Sequence, residues 1–339
     1  MKHYPVVLII RFSSIGDVVL TTPVVRCIKQ QFPDSKIHFA VKSSFASVIE
    51  DNPFIEQIHR LGDDWDEFIK SFEGLEFDWV VDLHKNPRSW RLKRHFKGCQ
   101  HFSFDKKNFE KWLLVNFKIN RLPTEHLVDR YFKGLSDSGI TNDHLGCDFF
   151  IPEGVRNNLA QWALPRNFVS IVAGGRYYTK QIPAEILAEA IIELQRPVVL
   201  LGGKEDRAHS EDIIGKVGGD SGQIWNLTGE TDLKTSAAVV NESQCLITPD
   251  TGLMHIGAAL KKPIVSVWGN TVTDFGMYPY YGSEEKASEL SRFVQNPELS
   301  CRPCTKLGYE KCPKGHFKCM IDISSSKIAD KVLELINEN

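Results

Sequence analysis

Thr248-Pro-Asp-Thr-Gly-Leu-Met-His-Ile-Gly-Ala-Ala-Leu-Lys-Lys-Pro-Ile-Val-Ser-Val-Trp-Gly269 reads as a strand end, a tight turn, a short helix and a second buried strand. The turn sets an acid (Asp250), a hydroxyl (Thr251) and a glycine (Gly252) where the helix begins. A helix N-terminus presents unpaired backbone N–H groups and a partial positive charge, so it seats phosphate. The run therefore points to a phosphate-bearing ligand in an α/β domain.

The same alternation extends along the chain. Val6–Ile10, Ile37–Val41, Trp79–Leu83, Phe168–Val172, Pro197–Leu201, Cys245–Thr248 and Ile264–Trp268 have the apolar, partly β-branched character of parallel strands covered on both faces. Helical patterns lie between them. In Pro183–Gln195, Ile186, Leu187, Ala190, Ile191 and Leu194 share one face, and Pro183 suits the first turn. Strand–helix alternation predicts doubly wound α/β sheets. The pattern runs twice. One series begins with Val6–Ile10 and the loop Arg11-Phe-Ser-Ser-Ile-Gly-Asp17; the other begins with Phe168–Val172 and the loop Ala173–Lys180. Weak periodicity with Pro152, Gly154 and Pro165 separates them. The reading is a first domain over 1–158, a second over 159–324, and a terminal amphipathic helix over 325–339. Ligands of such sheets bind beyond the carboxyl ends of the strands.

A length of 339 residues suits two domains, and 42% hydrophobic with 25% charged residues is a soluble globular composition. The net charge of −2 gives no global attraction for nucleic acid. No apolar run approaches the ~20 residues of a membrane-spanning helix. The start, Met1–Ile10, reads as a buried strand rather than a signal peptide. These features predict a cytoplasmic protein whose eight cysteines are mostly reduced.

Several residues carry candidate chemistry. Asp17 follows Ser13, Ser14 and Gly16; it reads either as a general base or as the N-cap of a helix over Val18–Gln31, with Pro23 delaying or bending that helix. In Gly174-Gly-Arg-Tyr-Tyr-Thr-Lys180, glycines, hydroxyls and a cation suit a diphosphate; a solvated Lys180 is the plainer alternative. Glu205 or Asp206, after the strand at Leu200–Leu201, suits ribose hydroxyls or simply decorates a helix start. Asn226–Leu233 reads as a loop that could line a base pocket. Arg88–Lys97 is locally basic, fit for an anionic acceptor, a membrane surface or plain solvation. Cys301, Cys304, Cys312 and Cys319, with His316, resemble a zinc pattern with poor spacing; reduced structural thiols are the alternative. There is no G-x-G-x-x-G and no Walker A loop. Asp64-Trp-Asp66 matches a D-x-D only superficially and reads as a solvated, irregular loop.

Together these residues resemble the heptosyltransferases of glycosyltransferase family 9, over nearly the whole chain. The motifs are the Gly16-Asp17 loop, Asp82-Leu-His84, Thr179-Lys180-Gln-Ile-Pro183, Gly202-Gly-Lys-Glu-Asp206, Asp250-Thr-Gly-Leu-Met-His255, Gly269-Asn-Thr271 and the cysteine-rich tail. Ile182 departs from the Trp usual in the family, which leaves packing near the phosphates and the donor open. The resemblance implies the GT-B architecture, two Rossmann-like domains with the active site between them and a terminal helix returning to the first. It implies an inverting transfer of heptose from a nucleotide sugar, ADP-heptose in the best-known members, to a lipopolysaccharide inner-core acceptor, with no cofactor or metal. Asp17 would be the base, and Lys180 with the Thr251 and Gly252 N–H groups would stabilise the leaving diphosphate. Thr179, Glu205, Asp206, Asp250, Leu253 and His255 would complete the donor site. Ser13, Ser14, Gly16, His84, Arg88 and Arg91 would meet the anionic glycolipid. The partners implied are donor, glycolipid and the cytoplasmic face of the inner membrane, not nucleic acid. A GT-B nucleotide-sugar epimerase and a non-catalytic nucleotide-sugar binder are the alternatives.

Overall fold

A computed structural model describes residues 5–218 and 223–338; Met1–Tyr4 of the expected first strand segment and Asn339 of the expected last helix lie outside them. The chain forms two compact units, Met1–Lys106 with Glu125–Phe150, and Lys107–Thr124 with Ile151–Asn339. The chain passes to the second unit for good at Ile151, earlier than position 159. The 107–124 segment, read as part of the first domain, belongs to the second.

The first unit holds β1 (Val6–Ile10), β2 (Lys36–Lys42), β3 (Gln57–Leu61), β4 (Trp79–Asp82) and β5 (Gln100–Ser103). They form a parallel sheet in the order β3-β2-β1-β4-β5. The second holds β6 (Val169–Val172), β7 (Val198–Leu201), β8 (Ile224–Asn226), β9 (Cys245–Pro249), β10 (Ile264–Trp268) and β11 (Ser291–Gln295). Its parallel order is β11-β10-β9-β6-β7-β8. Chain order reverses between β1 and β4 in one sheet and between β6 and β9 in the other. Those reversals open the crevices in which α/β sheets bind ligands.

All seven strands read from the sequence are present, and β3, β5, β8 and β11 are additions. Each addition lies at a sheet edge. An edge strand packs against one neighbour and keeps polar side chains, so it lacks the apolar run that marks a central strand. β5, Gln100-His-Phe-Ser103, buries only Phe102.

The helix expected over Val18–Gln31 is two helices, Ile15–Val19 and Thr22–Gln31, with Pro23 in the first turn of the second. Proline fits there because those N–H groups have no intrahelical partner. The terminal helix, Ser325–Glu338, buries Ile328, Val332 and Leu335 against the Ala184–Leu194 helix and the β9–β11 side of the second sheet. Its apolar stripe is filled within the second unit, where the sequence reading sent it to the first. Arg292 on β11 pins its outer side through Glu334 at 2.7 Å and Glu338 at 2.6 Å. Leu335→Ala is expected to cost ~2–5 kcal/mol of unfolding free energy; a urea midpoint unchanged from wild type would contradict that packing.

In the first unit His38 Nδ1 lies 3.0 Å from His59 Nε2, and His59 Nδ1 lies 2.8 Å from Ser71 Oγ. Burial, reinforced by the neighbouring His38, lowers the His59 imidazole to about 4. An unfolded histidine takes its proton near ~6.5, so the unfolded chain binds more protons between those values and stability falls as pH drops through that window. NMR titration should find His59 neutral down to about pH 5; protonation near neutrality would contradict its burial.

Candidate functional site

β9 ends at Pro249 and delivers Asp250 and Thr251 to the start of the Gly252–Ala259 helix. Thr251 occupies the N-cap position in an extended conformation, yet its side chain makes no capping bond. Its hydroxyl lies 3.0 Å from that of Thr248 instead. The first N–H groups of the helix are thus left without a side-chain cap, and that end favours an anion. β6, beside β9, leads through Gly174 and Gly175 to a 3₁₀ turn, Tyr178–Lys180. Lys180 Nζ reaches Asp250 Oδ2 at 2.6 Å, and the Thr271 hydroxyl donates to the same oxygen at 3.1 Å. A partly exposed pair of this kind adds at most ~1 kcal/mol to stability. Its consequence is positional: the cation stands beside the helix N-terminus, at the crevice where chain order reverses.

Other expected donor residues are engaged elsewhere. Thr179 is buried; its hydroxyl donates to Tyr309 O at 3.1 Å and accepts from Tyr309 N–H at 2.8 Å. It ties the loop to the cysteine-rich tail and has no hydroxyl left to offer phosphate. Asp206 is buried and accepts from Gly203 N–H at 2.9 Å. Its carboxyl fills the space that a Cβ on Gly174 would need, at 1.8 Å, so Gly174 is required for packing. Burial raises the Asp206 carboxyl above its usual range. Of the two acids, Glu205 is the exposed one. Ile182 is fully buried in the apolar core. His255 is buried and Leu253 half-buried, both in the helix behind the turn. In the Asn226–Leu233 loop, Thr228 lies 2.7 Å from the Ser210 hydroxyl and Asp232 caps the next helix by accepting from Thr235 N–H at 2.8 Å.

Sequence reading passed over Arg302. It is buried and donates to the carbonyls of Gly269, Trp268 (3.1 Å) and Thr271 (2.9 Å). Arg302 therefore holds the loop that carries Thr271, which orients Asp250, which orients Lys180. Asn270, in the same loop, is buried, and neither side-chain amide atom has a hydrogen-bond partner among the described residues. The only signal for Arg302 was its place in Cys301-Arg-Pro-Cys304. Of those cysteines, Cys301 Sγ lies 3.9 Å from His316 Nε2, and Cys312 Sγ accepts from Phe317 N–H at 3.4 Å. Burial raises the Cys304 thiol to about 11 and the Cys319 thiol to about 12. Among the described residues no three His, Cys, Asp or Glu side chains form a group that could hold a metal.

The first unit repeats the arrangement after β1. Arg11 is buried, pairs with Asp17 and donates to the Leu83 carbonyl at the end of β4 and to Ser13 O at 2.9 Å. Ser14, not Asp17, holds the N-cap position. Asp17 lies one turn in and accepts from the Ser14 N–H at 3.1 Å and hydroxyl at 2.9 Å. Asp17 is thus not the N-cap that one reading made it; it supports the cap from the third helical position, and its side chain is 18% exposed. His84 packs on Phe12; burial and the nearby Arg11 and Lys106 charges lower its imidazole to about 4. Asp82 is buried, accepting from His84 N–H at 3.0 Å, Lys85 N–H at 2.7 Å and the Ser89 hydroxyl at 2.9 Å. Further along the same edge a cavity of about 700 Å3 is lined by Lys42, Trp65, Arg88 and Arg91 among others. The Arg91 guanidinium lies 4.3 Å from the Trp65 ring centre. The Asp64–Asp66 stretch is a helix start: Asp64 caps Trp65–Lys70, accepting from Asp66 N–H at 2.7 Å.

Residues 65–306 match the glycosyltransferase family 9 (heptosyltransferase) profile. Lipopolysaccharide heptosyltransferase 3 of Escherichia coli is 24% identical over 284 residues, 76% of this chain and 80% of the relative. The solved glycosyl transferase family 9 protein of Veillonella parvula superposes with a TM-score of 0.79 at 22% identity, covering 100% of this chain and 99% of the other. E. coli heptosyltransferase WaaC, solved with ADP, gives 0.68 at 18% identity over 97% of this chain and 99% of its own. Two parallel α/β sheets of this topology are the GT-B fold class of those enzymes. With the profile covering most of its length, the chain belongs to glycosyltransferase family 9, the heptosyltransferases, and is a glycosyltransferase.

Proposed function

We propose that the chain transfers a heptose from ADP-heptose, with inversion and without a metal, to an anionic inner-core lipopolysaccharide acceptor at the cytoplasmic face of the inner membrane. The observation that carries this reading is the Lys180–Asp250 pair beside the uncapped helix start at Thr251–Gly252. A departing nucleoside diphosphate needs charge stabilisation more than it needs a proton. Lys180 and the N–H groups at that helix start supply it from fixed positions, which is where electrostatic catalysis gains most. The adenine of the donor is suggested by the ADP in the related WaaC structure. Glu205 is the ribose partner in this reading.

Asp17 is the base that takes the acceptor hydroxyl proton as oxygen attacks the anomeric carbon. Arg11 and Ser14 fix its direction. Ser13, Gly16 and the neutral His84 shape its surroundings. The cavity with Lys42, Arg88 and Arg91 suits the carboxylate or phosphate groups of the acceptor. Among the described residues no helix is long and apolar enough to cross a membrane, so this reading brings the lipid to the protein by surface contact.

Asp17→Asn is expected to lower kcat by ~10²–10⁴ while leaving the donor-induced rise in melting temperature intact. Turnover near wild type would remove Asp17 as base, and donor turnover without any acceptor would favour the epimerase. A panel of ADP-, GDP- and UDP-linked sugars should shift the melting curve most with ADP-heptose; no shift with any of them would overturn the donor site. Thr271→Val breaks one hydrogen bond to Asp250 and should weaken donor binding by about 1 kcal/mol, roughly fivefold. Unchanged donor affinity would show that Thr271 does not position the pair.

A further inference from the structure

Phe109, Trp112, Phe117 and Ile119 are four large apolar side chains exposed within one short stretch, at 65%, 46%, 58% and 46%. They lie on or just beyond the Asn108–Phe117 helix. Their rings pack on one another: Phe109 on Trp112 at 6.0 Å, and Trp112 against Phe117 at 5.1 Å. Beneath them Leu114 is buried, and the segment is tied down within the second unit. Lys118 Nζ donates to Pro303 O at 2.7 Å, Asn120 donates to Asp274 at 2.5 Å, and Lys111 sits 6.0 Å from the Phe275 ring centre. The aromatic cluster is thus fixed at its base and turned outward, with no covering element among the described residues.

The charge around it is one-sided. Lys107, Lys111, Lys118 and Arg121 stand against Glu110, which pairs with Lys107 at 3.6 Å, in a chain whose net charge is −2. Exposed Trp and Phe set among lysines are the make-up of a helix lying in the headgroup region of an anionic bilayer. Cations near such a surface are drawn to its negative potential, an attraction that salt screens. Lysines are depleted at protein–protein interfaces. A second copy across a two-fold axis would set these cations against each other. We propose that residues 107–121 dock the protein on an anionic membrane surface, with Phe109, Trp112 and Phe117 entering the headgroup layer. The inference rests on the lipid-borne acceptor of the reading above for its purpose, but not for its geometry. It also moves the membrane contact away from Arg88–Lys97.

Vesicle co-sedimentation tests it, with phosphatidylcholine vesicles and with vesicles enriched in phosphatidylglycerol. Wild type should bind the anionic vesicles, more weakly at high salt, and bind the neutral ones poorly. The variant Phe109→Ser/Trp112→Ser/Phe117→Ser should lose about tenfold or more of that binding. Its circular dichroism melting curve and its donor-induced thermal shift should match wild type. Three results would overturn the proposal: no binding by wild type, full binding by the variant, or a wild-type dimer in sedimentation velocity that the variant dissolves. A wild type that binds vesicles but no nucleotide sugar would instead refute the donor reading and leave the docking surface standing.

Discussion

The Lys180–Asp250 ion pair is the contact on which the proposed donor site depends. It joins the two loops that leave β6 and β9, the neighbouring strands at which chain order reverses. Without Asp250, Lys180 would be a flexible cation on a short 3₁₀ turn. Without Lys180, the helix start at Gly252 would be one anion-seeking end among many. The pair converts two ordinary features into one directed positive site. Its own support runs outward through Thr271 to the buried Arg302, whose guanidinium holds the loop after β10 by its carbonyls. The site is thus assembled from the ends of three strands and braced by the cysteine-rich tail.

The first unit uses the same physical device. A buried arginine, Arg11, grips the carbonyl at the end of β4 and the carboxylate of Asp17 in the loop after β1, at the reversal of its own sheet. In each unit a basic residue and an aspartate are locked together at the crevice. The partners differ in which of them is shielded. Arg11 is buried, and Asp17 keeps part of its carboxylate exposed; in the second unit both members of the pair remain partly exposed.

Central strands were legible in the sequence because burial on both faces demands a continuous apolar run. Edge strands such as β5 and β8 were not, because their polar side chains carry no such demand. That Asp17, Lys180 and the Asp250 turn lie in loops at strand ends was legible because glycine, acid and cation fall together there. Thr179 and Asp206 looked like ligands for the same reason, yet their side chains meet Tyr309 and Gly203 backbone, partners far off in sequence or hidden in a tight turn. Arg302 was silent because its role is to satisfy carbonyls, which no local pattern announces. Nothing local in the 107–124 sequence marks its place in the second unit, which contacts with residues near 274 and 303 set.

The central claim is that Lys180, oriented by Asp250, recognises a nucleoside diphosphate rather than a nucleoside. The most direct measurement is calorimetric binding of ADP and of AMP, in the presence of a metal chelator, to wild type and to Lys180→Ala. ADP should bind wild type at least about tenfold more tightly than AMP, and the difference should collapse in the variant. Equal preference for ADP in both proteins would contradict it.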